Sequence, residues 1–284
     1  MVLNDYTLHN VISHYGLGRV KQFDVLSKDH SSESYRVMVK SSPLFPRSNS
    51  FLLKRYSSHD ASQIRLANNF LLELAKQGGV PVAAPLRTKH DDTVVFVEDS
   101  LYSLFRISHG VPEDDHRVVG LSPERVVNAA KTLASFHKRL ADLPSQDVFE
   151  SRCFKYDDIN RVFSLQEEIK THSPKTEVDE FLVNKIPQLR EHFELYLRDL
   201  KYVRRRSDTQ LIHGRFTPKS LVFDEHEVAA LLDAEGMRFD YAEYDLVSAI
   251  PFFVRNYTGN EHFDFSRLRK FLDAYHTVYS KVDL

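Results

Sequence analysis

Two stretches carry side chains that could do chemistry together: LIHGRFTPKSLVF, residues 211–223, and VAALLDAEG, residues 228–236. Residues 220–223 and 228–232 are apolar runs separated by Asp224-Glu225-His226-Glu227, a spacing that predicts an antiparallel hairpin. Pairing Phe223 with Val228 would set Leu221 opposite Ala230 and Lys219 opposite Leu232. The loop before Ser220 and the segment from Asp233 then share one end, which gathers His213, Arg215, Ser220, Asp233 and Glu235. The two carboxylates offer hard anionic oxygens of the kind divalent cations prefer. The guanidinium of Arg215 stays charged, so it can pair with carboxylates but cannot act as a base. On pattern alone, a surface hairpin with a polar mouth fits these residues equally well.

A scaffold for such a cluster is legible on both sides of it. The first third is β-rich: the runs at 35–39 (YRVMV), 50–56 (SFLLKRY), 93–97 (TVVFV) and 101–107 (LYSLFRI) are full of β-branched and aromatic residues. Glu98-Asp99-Ser100 predicts a turn joining the last two. One helix interrupts this sheet over 60–77, with Ile64, Ala67, Leu71 and Leu74 on one stripe and Gly78-Gly79 to end it. After Gly110 the period becomes helical. Ser122-Pro123-Glu124 is a start signal, and Val126, Ala130, Leu133, His137 and Leu140 follow at helical spacing. Residues 178–200 predict another helical region, broken or kinked at Pro187, and Leu268, Leu272 and Tyr275 predict a last amphipathic helix. The simplest architecture is α+β with two lobes. A small β-rich lobe spans residues 1–107 and a larger helical lobe, residues 108–284, carries the hairpin.

Composition narrows the function classes. The 284 residues are 42% hydrophobic and 27% charged, as in ordinary globular chains, and the formal charge of -2 gives no general pull toward nucleic acid or acidic membranes. Arg204-Arg205-Arg206 suits a solvated helix end. A single cysteine, Cys153, excludes an internal disulfide and a cysteine-built zinc site. The N-terminal MVLNDYTLHN has neither a basic region nor an apolar core, and no run of 18 apolar residues occurs, so the expectation is cytoplasmic residence without a membrane partner.

The ordered set of motifs resembles the aminoglycoside phosphotransferase superfamily, a protein-kinase-like fold that includes choline kinases and type II homoserine kinases. In that family a loop H-G-D-[hydrophobic]-H-P-x-N precedes a strand, a second strand ends in I-D-W/F-E, and D-L-A follows. Here HGRFTPKSLVF and LLDAEGMRFDYAEYDLVSA match at His213, Gly214, Phe216, Pro218, Asp233, Glu235, Asp245 and Leu246. SFLLKRY resembles the strand bearing the family's ATP-phosphate lysine, which falls on Lys54. FLLELAKQGGVPVAAPL, LFRISHG and AKTLASFHKRL resemble the segments that follow, so roughly 250 residues are covered. Compared with the family the chain is short at its C-terminus, which implies a trimmed substrate lobe.

The resemblance implies ATP and magnesium as cofactors and a bilobal kinase-like body, but several positions depart from it. Arg215 stands where the family has its catalytic aspartate, and Ser220 where it has a metal-binding asparagine. Asp233 and Glu235 remain as candidate catalytic carboxylates, with Asp233 the weakened metal position. The phosphate turn falls in LSKDHSSESYRV without a glycine; Ser31, Ser32 and Ser34 are its candidate phosphate contacts, although an ordinary polar turn fits better. The helix glutamate that partners the lysine is missing: Glu73 points away from the apolar stripe, and Asn68 or Asn69 takes its place. His137 and His213 read as packed core residues, and Asp245 as an acceptor for backbone N–H groups. The implied protein is a pseudokinase-like member that binds a nucleotide, a small molecule or a protein partner, with Arg215 paired to Asp233 and Glu235. The alternative is an active ATP-dependent kinase of amino acids, amino alcohols or aminoglycosides with a rearranged site.

Overall fold

The β-branched and aromatic runs of the first third pair into one five-stranded antiparallel sheet. The computed structural model describes residues 3–28, 32–40, 50–56, 60–107, 121–141, 163–164, 167–171, 176–203, 209–256 and 262–282. Its sheet contains β1 (Val20–Lys28), β2 (Ser32–Val39), β3 (Ser50–Tyr56), β4 (Val95–Val97) and β5 (Ser100–Arg106), in the order β1-β2-β3-β5-β4. Glu98 and Asp99 take positive φ of 47° and 58°, which closes the expected turn between β4 and β5.

Alternation along β3 divides its side chains between two cores. Phe51 and Leu53 pack with Tyr35, Val37 and Leu104 against α1 (Asp5–His14), whose Leu8, Val11 and Ile12 are buried. Leu52 faces the other way, toward α2 (Ala61–Gln77) and the second half of the chain, as do Lys54 and Tyr56. Asp60 caps α2 and Gly78, at φ 68°, ends it as expected. Helix α1 and strand β1 were not foreseen. The sheet is therefore one strand wider than the sequence indicated, and it is backed by a helix of its own.

The second half holds α3 (Pro123–Leu140), α4 (Glu177–Val203), α5 (Ala242–Val254) and α6 (Phe265–Val278), with three short strand pairs between them. Ser122 caps α3 by accepting from the Arg125 N–H at 3.3 Å, and α3 packs along α6. Of the break or kink expected at Pro187, the break does not occur: α4 runs through the proline as one helix. Strand β6 (Gln210–Ile212) pairs with β9 (Arg238–Asp240), and β7 (Leu221–Asp224) with β8 (Glu227–Leu231). No described helix is long and apolar enough to cross a membrane.

The chain between α2 and β4 stitches the sheet to the β7–β8 hairpin. The Ala83 N–H donates to the Leu231 carbonyl at 2.9 Å, and the Leu86 N–H to the Leu104 carbonyl at 2.7 Å. This segment and the packing of α2 against residues 234–236 set β3 over the mouth of the hairpin.

Candidate functional site

The hairpin pairs Phe223 with Val228, as the sequence suggests, but the register shifts beyond that pair. Val222 lies opposite Ala230 and Leu221 opposite Leu231, so the expected pairing of Leu221 with Ala230 is displaced by one residue. Ala229 is the extra residue of this bulge. The mouth still closes, because the Leu232 N–H donates to the Ser220 carbonyl at 2.8 Å. Residues 213–220 and 233–236 therefore lie side by side.

Gly214 makes that proximity tight. At φ 77° it occupies the left-handed region, and a Cβ there would lie 2.1 Å from the Gly236 carbonyl oxygen. Arg238 Nη1 donates to the Gly214 carbonyl at 3.1 Å and ties the two segments together. Asp233 is itself left-handed at φ 64° and opens a short 3-10 turn, Ala234–Gly236, that aims Glu235 the same way.

Both carboxylates meet Lys54. Lys54 Nζ donates to Asp233 Oδ1 at 2.5 Å and also to Glu235 Oε1. The lysine side chain is 2% exposed, with Asp233 at 18% and Glu235 at 5%. Burial alone would lower the lysine pKa, but the adjacent Asp233 and Glu235 outweigh it and hold the ammonium well above its ordinary range. The lysine thus stays charged inside the protein because two anions enclose it. Lys54, from the sheet, is a cation on these carboxylates that the sequence reading did not pair with them. The missing helix glutamate is also explained. Asn68 is buried but donates to Ser103 Oγ at 2.9 Å and to the Thr93 carbonyl, while Glu73 is exposed and pairs with Lys76.

Ser220 turns inward. Its hydroxyl donates to the Thr217 carbonyl at 2.7 Å and accepts from the Thr217 N–H at 3.0 Å, and the residue is wholly buried. That ring fixes the loop into a 3-10 turn, Pro218–Ser220. Magnesium prefers several unencumbered oxygens in octahedral array. Here the Ser220 hydroxyl is committed to its own loop and Asp233 Oδ1 to Lys54, so these residues do not fit the ion as they stand. Among the described residues no group of three or more histidine, cysteine, aspartate or glutamate side chains could hold a metal.

Arg215 is exposed and lines a cavity of about 300 Å³. Ser32 and Ser34 of β2, with Ser27 of β1, form part of the facing wall, while Lys219 and Asp233 line the hairpin side. Ser31 lies outside the described residues. Lys54, Ser34, Arg215 and Asp233 are thus brought to one place, and Glu235 and Ser220 stand behind it.

A second buried network fixes the loop from below. Asp245 accepts from the His213 N–H at 2.7 Å, the Gly214 N–H at 2.7 Å and His137 Nε2 at 2.9 Å. His137 Nδ1 lies 2.7 Å from the Tyr275 hydroxyl, and His213 Nε2 is 2.7 Å from the Leu232 carbonyl. Burial would raise the carboxyl pKa of Asp245, but the bonds and charge from His137 and His213 hold it below its ordinary value. Asp245 is the acceptor of backbone N–H groups that the sequence suggested, and both histidines sit packed among Phe136, Phe216 and Tyr275. Sequence reasoning did not place Ser27 or Lys219 on the cavity. Their signal was positional only: Ser27 pairs with Ser34 near the end of β1, and Lys219 lies two residues after the loop's Thr217.

Residues 23–284 match the profile of the phosphotransferase enzyme family. The chain belongs to that family. Solved structures share its fold at low identity. A spectinomycin phosphotransferase in complex with ADP and spectinomycin superposes with a TM-score of 0.69 at 14% identity, covering 100% of this chain and 82% of that one. An amicoumacin kinase in complex with AMP-PNP, calcium and amicoumacin gives 0.67 at 13%, over 98% and 78%. A microcompartment-associated aminopropanol kinase gives 0.65 at 15%, over 99% and 82%. No curated protein sequence matches the chain. The phosphotransferase family's α+β, kinase-like fold is thus this chain's own.

Proposed function

We propose that this chain is a catalytically silent, pseudokinase-like member of the phosphotransferase family. On this reading it binds a nucleotide or another small molecule between a β-rich lobe, residues 1–107, and a helical lobe, residues 108–284, and can pass that signal to a protein partner. Its affinity with homoserine-kinase-like members and its cytoplasmic residence belong to the same reading.

One observation carries it: Lys54 is closed on Asp233 and Glu235 while a guanidinium stands at position 215. Phosphoryl transfer relies on positioning and on neutralising charge, with a carboxylate to orient the acceptor and take its proton. Arg215 cannot take a proton, and losing a positioned base costs on the order of 10²–10⁴-fold in rate. Lys54 and Asp233 would have to separate before the first could hold phosphate and the second a metal. The Ser220 hydroxyl and Asp233 Oδ1, which would hold magnesium, are engaged by Thr217 and Lys54.

An active small-molecule kinase is the second reading, favoured by the retention of both Lys54 and Asp233 within 2.5 Å of each other. Thermal unfolding with ATP, in magnesium and in EDTA, separates the two. The silent reading expects the same shift in both, with no ATP turnover on amino acids, amino alcohols or aminoglycosides. A shift found only with magnesium, together with turnover, would establish the active kinase instead.

A further inference from the structure

We infer that the outer edge of β4 is a docking surface for a second copy of this chain, which joins the two sheets antiparallel through Phe96. The surface shares no residue with the Lys54 cluster or its cavity, and it stands whether or not the chain moves phosphate.

The two edges of the sheet meet solvent differently. At one edge β1 exposes Lys21, Asp24 and Lys28 and breaks register with β2 twice. Charges and bulges of this kind keep another strand from pairing. At the other edge Val95, Phe96 and Val97 of β4 carry no charge and no proline, and their pairing with β5 is unbroken. The turn Glu98-Asp99 has two residues, both at positive φ, so the flanking Val97 and Ser100 are the hydrogen-bonded pair. Phe96 and Leu101, one step on, are then a non-hydrogen-bonded pair, and the Phe96 N–H and C=O point away from β5. They have no partner among the described residues. The Phe96 side chain is 67% exposed. Tyr6 of α1 is 75% exposed and lies next to Thr7, which donates to Glu98 at 2.6 Å.

A second copy fits this edge better than an unrelated peptide does. Turned antiparallel about Phe96, it sets the two Phe96 residues opposite each other. Their backbone groups then exchange both bonds, and the rings form a cross-strand aromatic pair. Val95 lies opposite Val97 in both directions, so no like charges face each other along the strand. The same orientation brings the acidic turn Glu98-Asp99 of one copy beside the loop 88–92 that precedes β4 in the other. Around that loop Arg65, Arg87 and Lys89 outnumber Asp91 and Asp92, which are paired with Arg87 and Arg65. Two-fold symmetry makes this contact twice. An unrelated peptide would gain only the two Phe96 bonds and one side-chain contact from a strand of three residues.

Sedimentation equilibrium on the full chain, over a concentration series, tests this. A reversible monomer–dimer equilibrium is expected. Phe96→Lys should raise its dissociation constant at least about tenfold, because it sets like charges directly opposite. Circular dichroism melts check that this surface variant folds. Register is tested separately in a Cys153→Ser background. There Phe96→Cys should cross-link between copies in air, since a hydrogen-bonded antiparallel pair holds its Cα atoms about 5.5 Å apart, whereas Lys21→Cys on the guarded edge should not. A chain that stays monomeric throughout, a dimer indifferent to Phe96→Lys, or equal cross-linking at both positions would overturn the interface. Binding of an alternating Thr-Val peptide by a chain that remains monomeric would overturn it too, in favour of a foreign strand.

Discussion

Replacing Lys54 with methionine should turn the buried ion cluster into a buried repulsion. The lysine side chain is 2% exposed and its partners Asp233 and Glu235 are 18% and 5% exposed, so water can replace little of the lost charge. Both carboxylate oxygens touched the same nitrogen and so lie no more than roughly 5 Å apart; at an effective dielectric near 20 their repulsion is about 3 kcal/mol. Removing one partner of a buried ion cluster costs about 3–5 kcal/mol in general, in line with that figure. Repulsion raises the pKa of one carboxyl in the folded variant above its unfolded value of about 4. The folded variant then binds a proton more tightly than the unfolded chain. Its stability is greatest at low pH and falls as pH rises from the unfolded value through the folded one. Urea unfolding at pH 5, 6.5 and 8 should show a deficit relative to the parent that grows with pH. Adding Asp233→Asn and Glu235→Gln should restore about 2 kcal/mol or more at pH 8, because no unpaired charge then remains. A deficit below about 1 kcal/mol, or one that does not change with pH, would refute the enclosed cluster.

Three further outcomes follow from the same geometry. Gly214→Ala should lower stability by more than about 3 kcal/mol in urea unfolding, since the new Cβ meets the Gly236 carbonyl at 2.1 Å from a left-handed backbone. Asp245→Asn should cost about 3 kcal/mol near neutral pH, because an amide cannot accept from both the His213 and Gly214 N–H groups and His137. The carboxyl pKa of Asp245 is depressed on folding, so its contribution is present above about pH 4 and is lost as pH falls through the folded value; the variant's deficit should shrink in acid. Ser220→Ala should cost about 1–2 kcal/mol through the opened Thr217 ring and leave any ATP-induced thermal shift unchanged by magnesium.

Much of the scaffold was legible because local signals agreed with tertiary packing. SFLLKRY is β3 residue for residue, α2 starts and ends within a residue of the expected span, and the cap at Ser122 sits where the Ser-Pro-Glu signal predicted it. Strand β1 escaped because VKQFDVLSK is an edge strand with no fully buried residue, so it lacks the alternation that marks a half-buried strand. Helix α1 did carry a signal: Asn4 accepts from the Thr7 N–H, with Leu8, Val11 and Ile12 at helical spacing. At Pro187 the helix-forming residues on either side prevail over one missing N–H. The bulge at Ala229 was not readable, since Ala229 and Ala230 are chemically alike and either could face the core.

The candidate site was legible as a gathering of residues but not as a set of bonds. Hairpin geometry brought Asp233 and Glu235 to the loop of Arg215, yet pairing with Lys54 spans 179 residues and depends on how the sheet docks on the hairpin. Nothing in the local pattern encodes that docking. Ser220 illustrates the same limit: its identity pointed to a weak ligand, and only its two bonds to Thr217 show that the hydroxyl is committed to the loop.

Phosphoryl transfer from ATP, followed by ³¹P NMR on the unaltered chain with magnesium and a panel of amino acids, amino alcohols and aminoglycosides, tests the central claim most directly. The closed Lys54–Asp233–Glu235 cluster and the guanidinium at 215 predict that the γ-phosphate signal persists at the rate of the protein-free control. Magnesium-dependent formation of a phosphorylated acceptor, abolished by Asp233→Asn, would contradict it.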